Sequence, residues 1–107
     1  MPRFHHANLG VPPSLEQAQG RFLIEVLGYP KMQVPADLEH VARWFEAEDG
    51  TQIQLSVDAE HRPASKAHTA IEVDAAGVAY QASERGGIRV VLCEDPAGNR
   101  WELRRQI

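Results

Sequence analysis

From His6 the chain alternates. Ala7, Leu9 and Val11 fall on one side and His6, Asn8 and Gly10 on the other, the pattern of a strand with one buried face. Pro12-Pro13 ends it. Ser14, with Gln17 after it, gives a capping-box signature, and Leu15, Ala18, Phe22 and Val26 continue at helical spacing. Gly28 is the expected stop, and Gly20 weakens the middle of this helix. After Pro30 and Pro35, "VARWFEAEDGTQIQLSV" reads as a hairpin turning at Asp49-Gly50. Its second arm puts Ile53, Leu55 and Val57 on one face and Gln52, Gln54 and Ser56 on the other. "DAEHRPASKA" is a polar connection.

The same order then returns. In "HTAIEV" Thr69, Ile71 and Val73 oppose His68, Ala70 and Glu72, so His68 aligns with His6. "AAGVAYQASERGG" reads as a shorter helical piece, followed by the strand "IRVVLCE", the turn "DPAGN" and the strand "RWELRR". The ends of the halves also match: Gly50-Thr51-Gln52-Ile53-Gln54-Leu55 lies on Gly98-Asn99-Arg100-Trp101-Glu102-Leu103, with Gln54 on Glu102. Strand, helix and strands twice over predict an α+β fold from an internal repeat, with a first module over about 1–58 and a second over about 66–107 of one domain.

Composition narrows the function classes. The 107 residues are enough for one ordinary core, and 43% hydrophobic with 24% charged residues is a globular balance. Eleven Lys+Arg against fifteen Asp+Glu, with no basic run, argue against a nucleic-acid partner. No stretch approaches the roughly 20 apolar residues of a membrane span, and the N-terminus lacks a signal-peptide pattern. The single Cys93 fits a reducing, cytoplasmic setting and reads as a small strand or core residue.

The aligned polar positions carry the candidate chemistry. His6, Gln54, His68 and Glu102 each stand on the polar side of a strand, two in the first strands of the halves and two in the last. A lone histidine, glutamine or glutamate on such a face is ordinarily only solvated. Their equivalence in a repeat is what raises the interest. Should the two sheets curve together, two imidazoles, a carboxylate and an amide oxygen would suit one borderline divalent metal: Mn, Fe(II), Co, Ni or Zn. His5 should point away from His6 by alternation, while His40 and His61 lack partners at ligand spacing and read as structural or surface residues. No serine or cysteine nucleophile motif and no phosphate-cradling loop is present.

"HHANLGVP", "SLEQAQGRFLIEVLGY", "HTAIEVD" and above all "EDPAGNRWELRR" make the chain resemble the vicinal oxygen chelate superfamily of glyoxalases, bleomycin-resistance proteins and dioxygenases over essentially its whole length. The resemblance implies two tandem βαβββ modules forming a curved, largely antiparallel sheet around a cleft. It also implies metal ligands at His6, Gln54, His68 and Glu102. Glyoxalase I-like members use two metal-bound carboxylates for proton shuttling, whereas Gln54 stands at one of those positions here. A neutral amide leaves the ion a stronger Lewis acid and more weakly held.

Three functions follow as expectations. The first is a divalent-metal-dependent, glyoxalase-like enzyme of lyase or isomerase type. Its small substrate would chelate the metal through adjacent oxygens, with Glu102 as the catalytic proton carrier and Asn8 and Arg104 as substrate contacts. Extradiol-dioxygenase-like chemistry would need only His6, His68 and Glu102, although its accompanying acid–base residues have no evident place. Fosfomycin-resistance-like members also use a His-His-Glu set, with no further motif found here. The second is a metal-free, bleomycin-resistance-type protein that sequesters a small molecule. The third is an interaction domain with an unused cleft. A homodimer is expected, since the superfamily also pairs modules between subunits.

Overall fold

A computed structural model describes residues 1–73, 83–85 and 88–106. Among these residues, eight strands build two four-stranded sheets of identical order. The first sheet runs β1 (His6–Val11), β4 (Gln52–Val57), β3 (Ala42–Glu46) and β2 (Lys31–Met32). The second runs β5 (His68–Glu72), β8 (Arg100–Gln106), β7 (Ile88–Glu94) and β6 (Ser83–Arg85). In each sheet the first and last strands of the repeat pair in parallel and the other pairings are antiparallel. This is the α+β architecture the repeat called for.

Alternation sorted the strand faces correctly. Val11, Phe45, Ile53 and Leu55 of the first sheet share one core with Val91, Trp101 and Leu103 of the second. The polar faces are turned away from that core. His6 pairs with Gln52 and Asn8 with Gln54, and likewise His68 with Arg100 and Ala70 with Glu102. Gln54 and Glu102 therefore stand at the same register step from their histidines, so the internal repeat extends to strand pairing.

Three local expectations are corrected. Ser14 makes no cap. The first turn, Pro13–Leu15, is a 3-10 turn that the preset backbone of Pro12-Pro13 starts, with Leu15 N–H bonded to Pro12 O at 3.0 Å. Helix α1 then covers Glu16–Arg21, and a π-helical turn over Phe22–Val26 follows. Across these turns the residues with no exposure are Gln19 and Leu23, four positions apart, with Leu15 and Phe22 packed at the core's margin. Gly28 ends the segment at φ +73°, as expected. Next, Ser83–Arg85 belong to β6 rather than to a helix, because antiparallel pairing with β7 supplies partners that no local reading weighs. The rest of that helical piece lies outside the described residues. Finally, His5 precedes β1 instead of continuing its alternation, and its ring meets that of His6 edge-on.

The most specific motif of the chain proves to be a clamp between the halves. Asp95 accepts the backbone N–H of Asn99 on Oδ1 at 2.8 Å. On Oδ2 it accepts the Trp101 indole N–H at 2.9 Å and the Gln19 amide at 2.5 Å. Gln19 returns the contact, its oxygen accepting the Ala97 N–H at 3.1 Å. Asn99 donates its side-chain N–H to Gly10 O on β1 at 3.0 Å. Gly98 takes φ +83°, and a Cβ there would stand 2.8 Å from the Pro63 ring, so both backbone and space call for glycine. His61 packs its ring against Gly10, which makes it structural.

Gly20 has no comparable duty. Its φ is not positive, and an added Cβ would meet Phe45 at an ordinary 3.6 Å. Gly20→Ala is expected to stabilise the protein by about 0.5–1 kcal/mol through helix propensity. Thermal unfolding followed by circular dichroism checks this. A lower melting temperature would show that the helix must approach Phe45 without a side chain between them.

Candidate metal centre

The polar faces carry two candidate half-sites. On the second sheet, His68 Nδ1 lies 3.1 Å from Lys66 O. A carbonyl only accepts, so Nδ1 carries a proton, and a ring with one proton keeps its lone pair on Nε2. That atom stands 4.0 Å from Glu102 Oε1. Donors sharing one ion at about 2.0–2.2 Å stand roughly 3–4 Å apart, so this pair has the spacing and the free lone pairs of two metal ligands. Arg104 Nε lies 3.6 Å from Glu102 Oε2, with no hydrogen bond of its own among the described residues. The contact made by Arg104 is thus to the proposed ligand.

A cleft of about 660 Å³ opens beside this pair, lined by Lys66, His68, Leu92, Glu94, Arg100 and Glu102, with Cys93 and Trp101 at its base. Leu92, opposite Glu102 across β7 and β8, is 68% exposed and gives the cleft an apolar wall. Burial, and secondarily the charge of Asp95, pushes the Cys93 thiol up. Among the described residues, nothing in its surroundings activates it as a thiolate.

On the first sheet, His6 is exposed and its Nδ1 lies 2.8 Å from His5 Nδ1, one of the two carrying the proton between them. Nε2 of His6 has no hydrogen bond among the described residues. Gln54 donates its NH₂ to Gln52 Oε1 at 2.8 Å, and Gln52 donates in turn to Glu46 Oε1 at 3.0 Å. Asn8 Oδ1 accepts from Ser56 Oγ at 3.0 Å, leaving the Asn8 NH₂ group for a ligand.

Within one chain the two half-sites do not merge. No group of three or more His, Cys, Asp or Glu side chains gathers at metal-holding distance among the described residues. His68 and Glu102 come together, while His6 is not brought to them. The reason is the shared core: both sheets turn their apolar faces to it, so the polar faces look elsewhere. The alternation pattern set Gln52 beside Gln54 on one face of β4 but identified neither Glu46 nor Trp44, which join that face through the β3–β4 register. Only the hairpin's pairing, counted outward from the Asp49-Gly50 turn, could have signalled them.

No protein-family model matches the chain, and no curated protein does. Solved structures do. A Bacillus anthracis protein described as of the glyoxalase family superposes with TM-score 0.83 at 22% identity, covering 100% of this chain and 97% of that one. A glyoxalase/dioxygenase from Nostoc punctiforme gives 0.75 at 24% identity over 98% and 91% of the two chains. The fosfomycin resistance protein FosX from Listeria monocytogenes gives 0.75 at 14% identity over 100% and 95%. A variant of that FosX, solved with Mn(II) and 1S,2S-dihydroxypropylphosphonic acid, gives 0.71 at 14% identity over 96% and 91%. At such identities the likeness is one of fold, and the fold is the vicinal oxygen chelate fold that the sequence resembles.

Proposed function

We propose that the protein is a divalent-metal-dependent, glyoxalase-like enzyme of lyase or isomerase type, acting on a small substrate with two adjacent oxygens. The observation that carries this reading is the His68–Glu102 pair at 4.0 Å, its imidazole lone pair oriented by Lys66 O. Its register equivalence with His6 and Gln54 supports the four-residue donor set. A second copy of the chain would bring one His6/Gln54 half-site to one His68/Glu102 half-site, making the enzyme a homodimer. The ion, of the borderline class Mn, Fe(II), Co, Ni or Zn, would supply Lewis-acid stabilisation of an oxyanion developing on the substrate.

The chain's own groups divide the remaining work. His6, His68 and Glu102 hold, and Gln54 adds a neutral oxygen. Glu102 carries the proton, with Arg104 beside Oε2 to receive the carboxylate as it turns from His68. Asn8 offers an N–H donor to the substrate, and Leu92 excludes water from the cleft. With a single carboxylate among the four, proton transfer would run through one face of the substrate.

Metal content of protein purified without chelator tests this. Close to one transition-metal ion per chain is expected in the wild type, with losses of more than about 10-fold in His6→Ala and Glu102→Ala. A wild type that takes up no Mn, Fe(II), Co, Ni or Zn would overturn the reading. It would leave metal-free sequestration of a small molecule, which the separation of the half-sites within one chain favours, and which ligands that raise the melting temperature would reveal.

A further inference from the structure

Resting on the metal reading above, we propose that Glu46 and Gln52 are positioning residues that fix which end of the Gln54 amide is offered at the first half-site. An amide at a ligand position has two ends of nearly equal size, and only the oxygen has a lone pair for a cation. Something must decide which end is presented. Here a carboxylate decides it. Glu46 Oε1 can only accept, so Gln52 must turn its NH₂ toward it, at 3.0 Å. That leaves the Gln52 oxygen facing Gln54, whose NH₂ it accepts at 2.8 Å. The Gln54 oxygen remains, with no partner among the described residues.

The backbone makes this relay hard to reverse. Glu46 stands opposite Gln52 in the β3–β4 register, and Gln52 and Gln54 are next neighbours on one face of β4. Gln52 is only 7% exposed, so water does not replace a lost partner. Turning either amide over would set oxygen against oxygen or NH₂ against NH₂ along the row. The three residues thus convert a fixed negative charge at Glu46 into a fixed orientation at Gln54, without placing that charge beside the ion.

Co(II) affinity, read by titration with Co(II) alone, tests the relay without any assay of turnover. Gln52→Leu is expected to weaken Co(II) binding by roughly 10–100-fold, the usual effect of losing a group that orients a ligand. Glu46→Gln, which lets the row run in either direction, should weaken it by about 2- to 10-fold. A carboxylate at position 54 has oxygen at both ends and needs no orienting. In a Gln54→Glu background, adding Gln52→Leu should therefore change affinity by less than about 2-fold. That background dependence is what a general loss of structure would not produce. Equal losses in both backgrounds, or unchanged affinity in Gln52→Leu and Glu46→Gln, would overturn the relay while leaving the metal site standing. Absence of Co(II) binding in the wild type would overturn both. Should Gln52→Leu fail to melt cooperatively, Glu46→Gln alone and in the Gln54→Glu background gives the same comparison, and unchanged affinity there overturns the relay.

Discussion

Replacing Asp95 by alanine is expected to destabilise the fold by about 3–5 kcal/mol. Asp95 is 5% exposed and accepts from Asn99, Gln19 and Trp101. Alanine would leave three buried donors without an acceptor, and each such orphan costs about 1–3 kcal/mol before relaxation and entering water reduce the sum. The loss would also free Gln19, whose oxygen holds the Ala97 N–H, and so loosen the helix of the first half from the turn of the second. Asp95→Asn should cost roughly half as much, since one amide oxygen can serve only part of the set. Urea unfolding at unchanged m-value checks both variants. A cost below about 1 kcal/mol for Asp95→Ala would mean that the Asp95 contacts do not hold the halves together.

Mixing His6→Ala and Glu102→Ala chains should restore metal binding that neither variant has alone. If a site takes His6 and Gln54 from one chain and His68 and Glu102 from its partner, a hybrid dimer contains one intact site and one doubly defective site. Random pairing makes about half of the dimers hybrids, so about one quarter of the wild-type metal content should return after unfolding and refolding the mixture together. A site assembled within a single chain would recover nothing on mixing. The same result would be reached if the chain were monomeric, and sedimentation of the mixture separates those two outcomes. The prediction rests on the geometry of one chain. His68 and Glu102 lie at 4.0 Å, while no third ionisable donor joins them among the described residues. Leu92, 68% exposed opposite Glu102, marks the same face as one that water alone covers poorly.

Much of the architecture was legible because strands advertise themselves through alternation. Ala7, Leu9 and Val11, then Ile53, Leu55 and Val57, then Thr69 and Ile71 identified the inner faces. Histidine on histidine and Gln54 on Glu102 located the outer ones, and the parallel pairings β1–β4 and β5–β8 repeat the same step. The helix was less legible. Periodicity selected Ala18 and Val26, whereas Gln19 and Leu23 are the residues wholly buried. A buried glutamine is invisible to a search for apolar positions, and the π-helical turn breaks the 3.6-residue count from Phe22 onward, where Val26 falls. The roles within "EDPAGNRWELRR" also needed the structure. The motif signalled the fold, yet apart from Glu102 and Arg104 its conspicuous residues serve the clamp and the core. Asp95 and Asn99 bond to groups 76 and 89 positions away, Gln19 and Gly10, which no local pattern connects to them.

By itself the sequence determined the repeat, the strand faces and the polar residues they display, because side-chain direction in a strand follows from a period of two and needs no knowledge of neighbours. Only the tertiary structure decided which of those residues meet. Packing both sheets on one core brings Trp101 to Phe22, a ring separation of 6.0 Å, and turns the half-sites outward. It also lines up Glu46, Gln52 and Gln54 through a hairpin register and hands the most specific motif a structural duty. Those outcomes depend on contacts between residues far apart in the chain, where burial of apolar area rather than local preference sets the geometry.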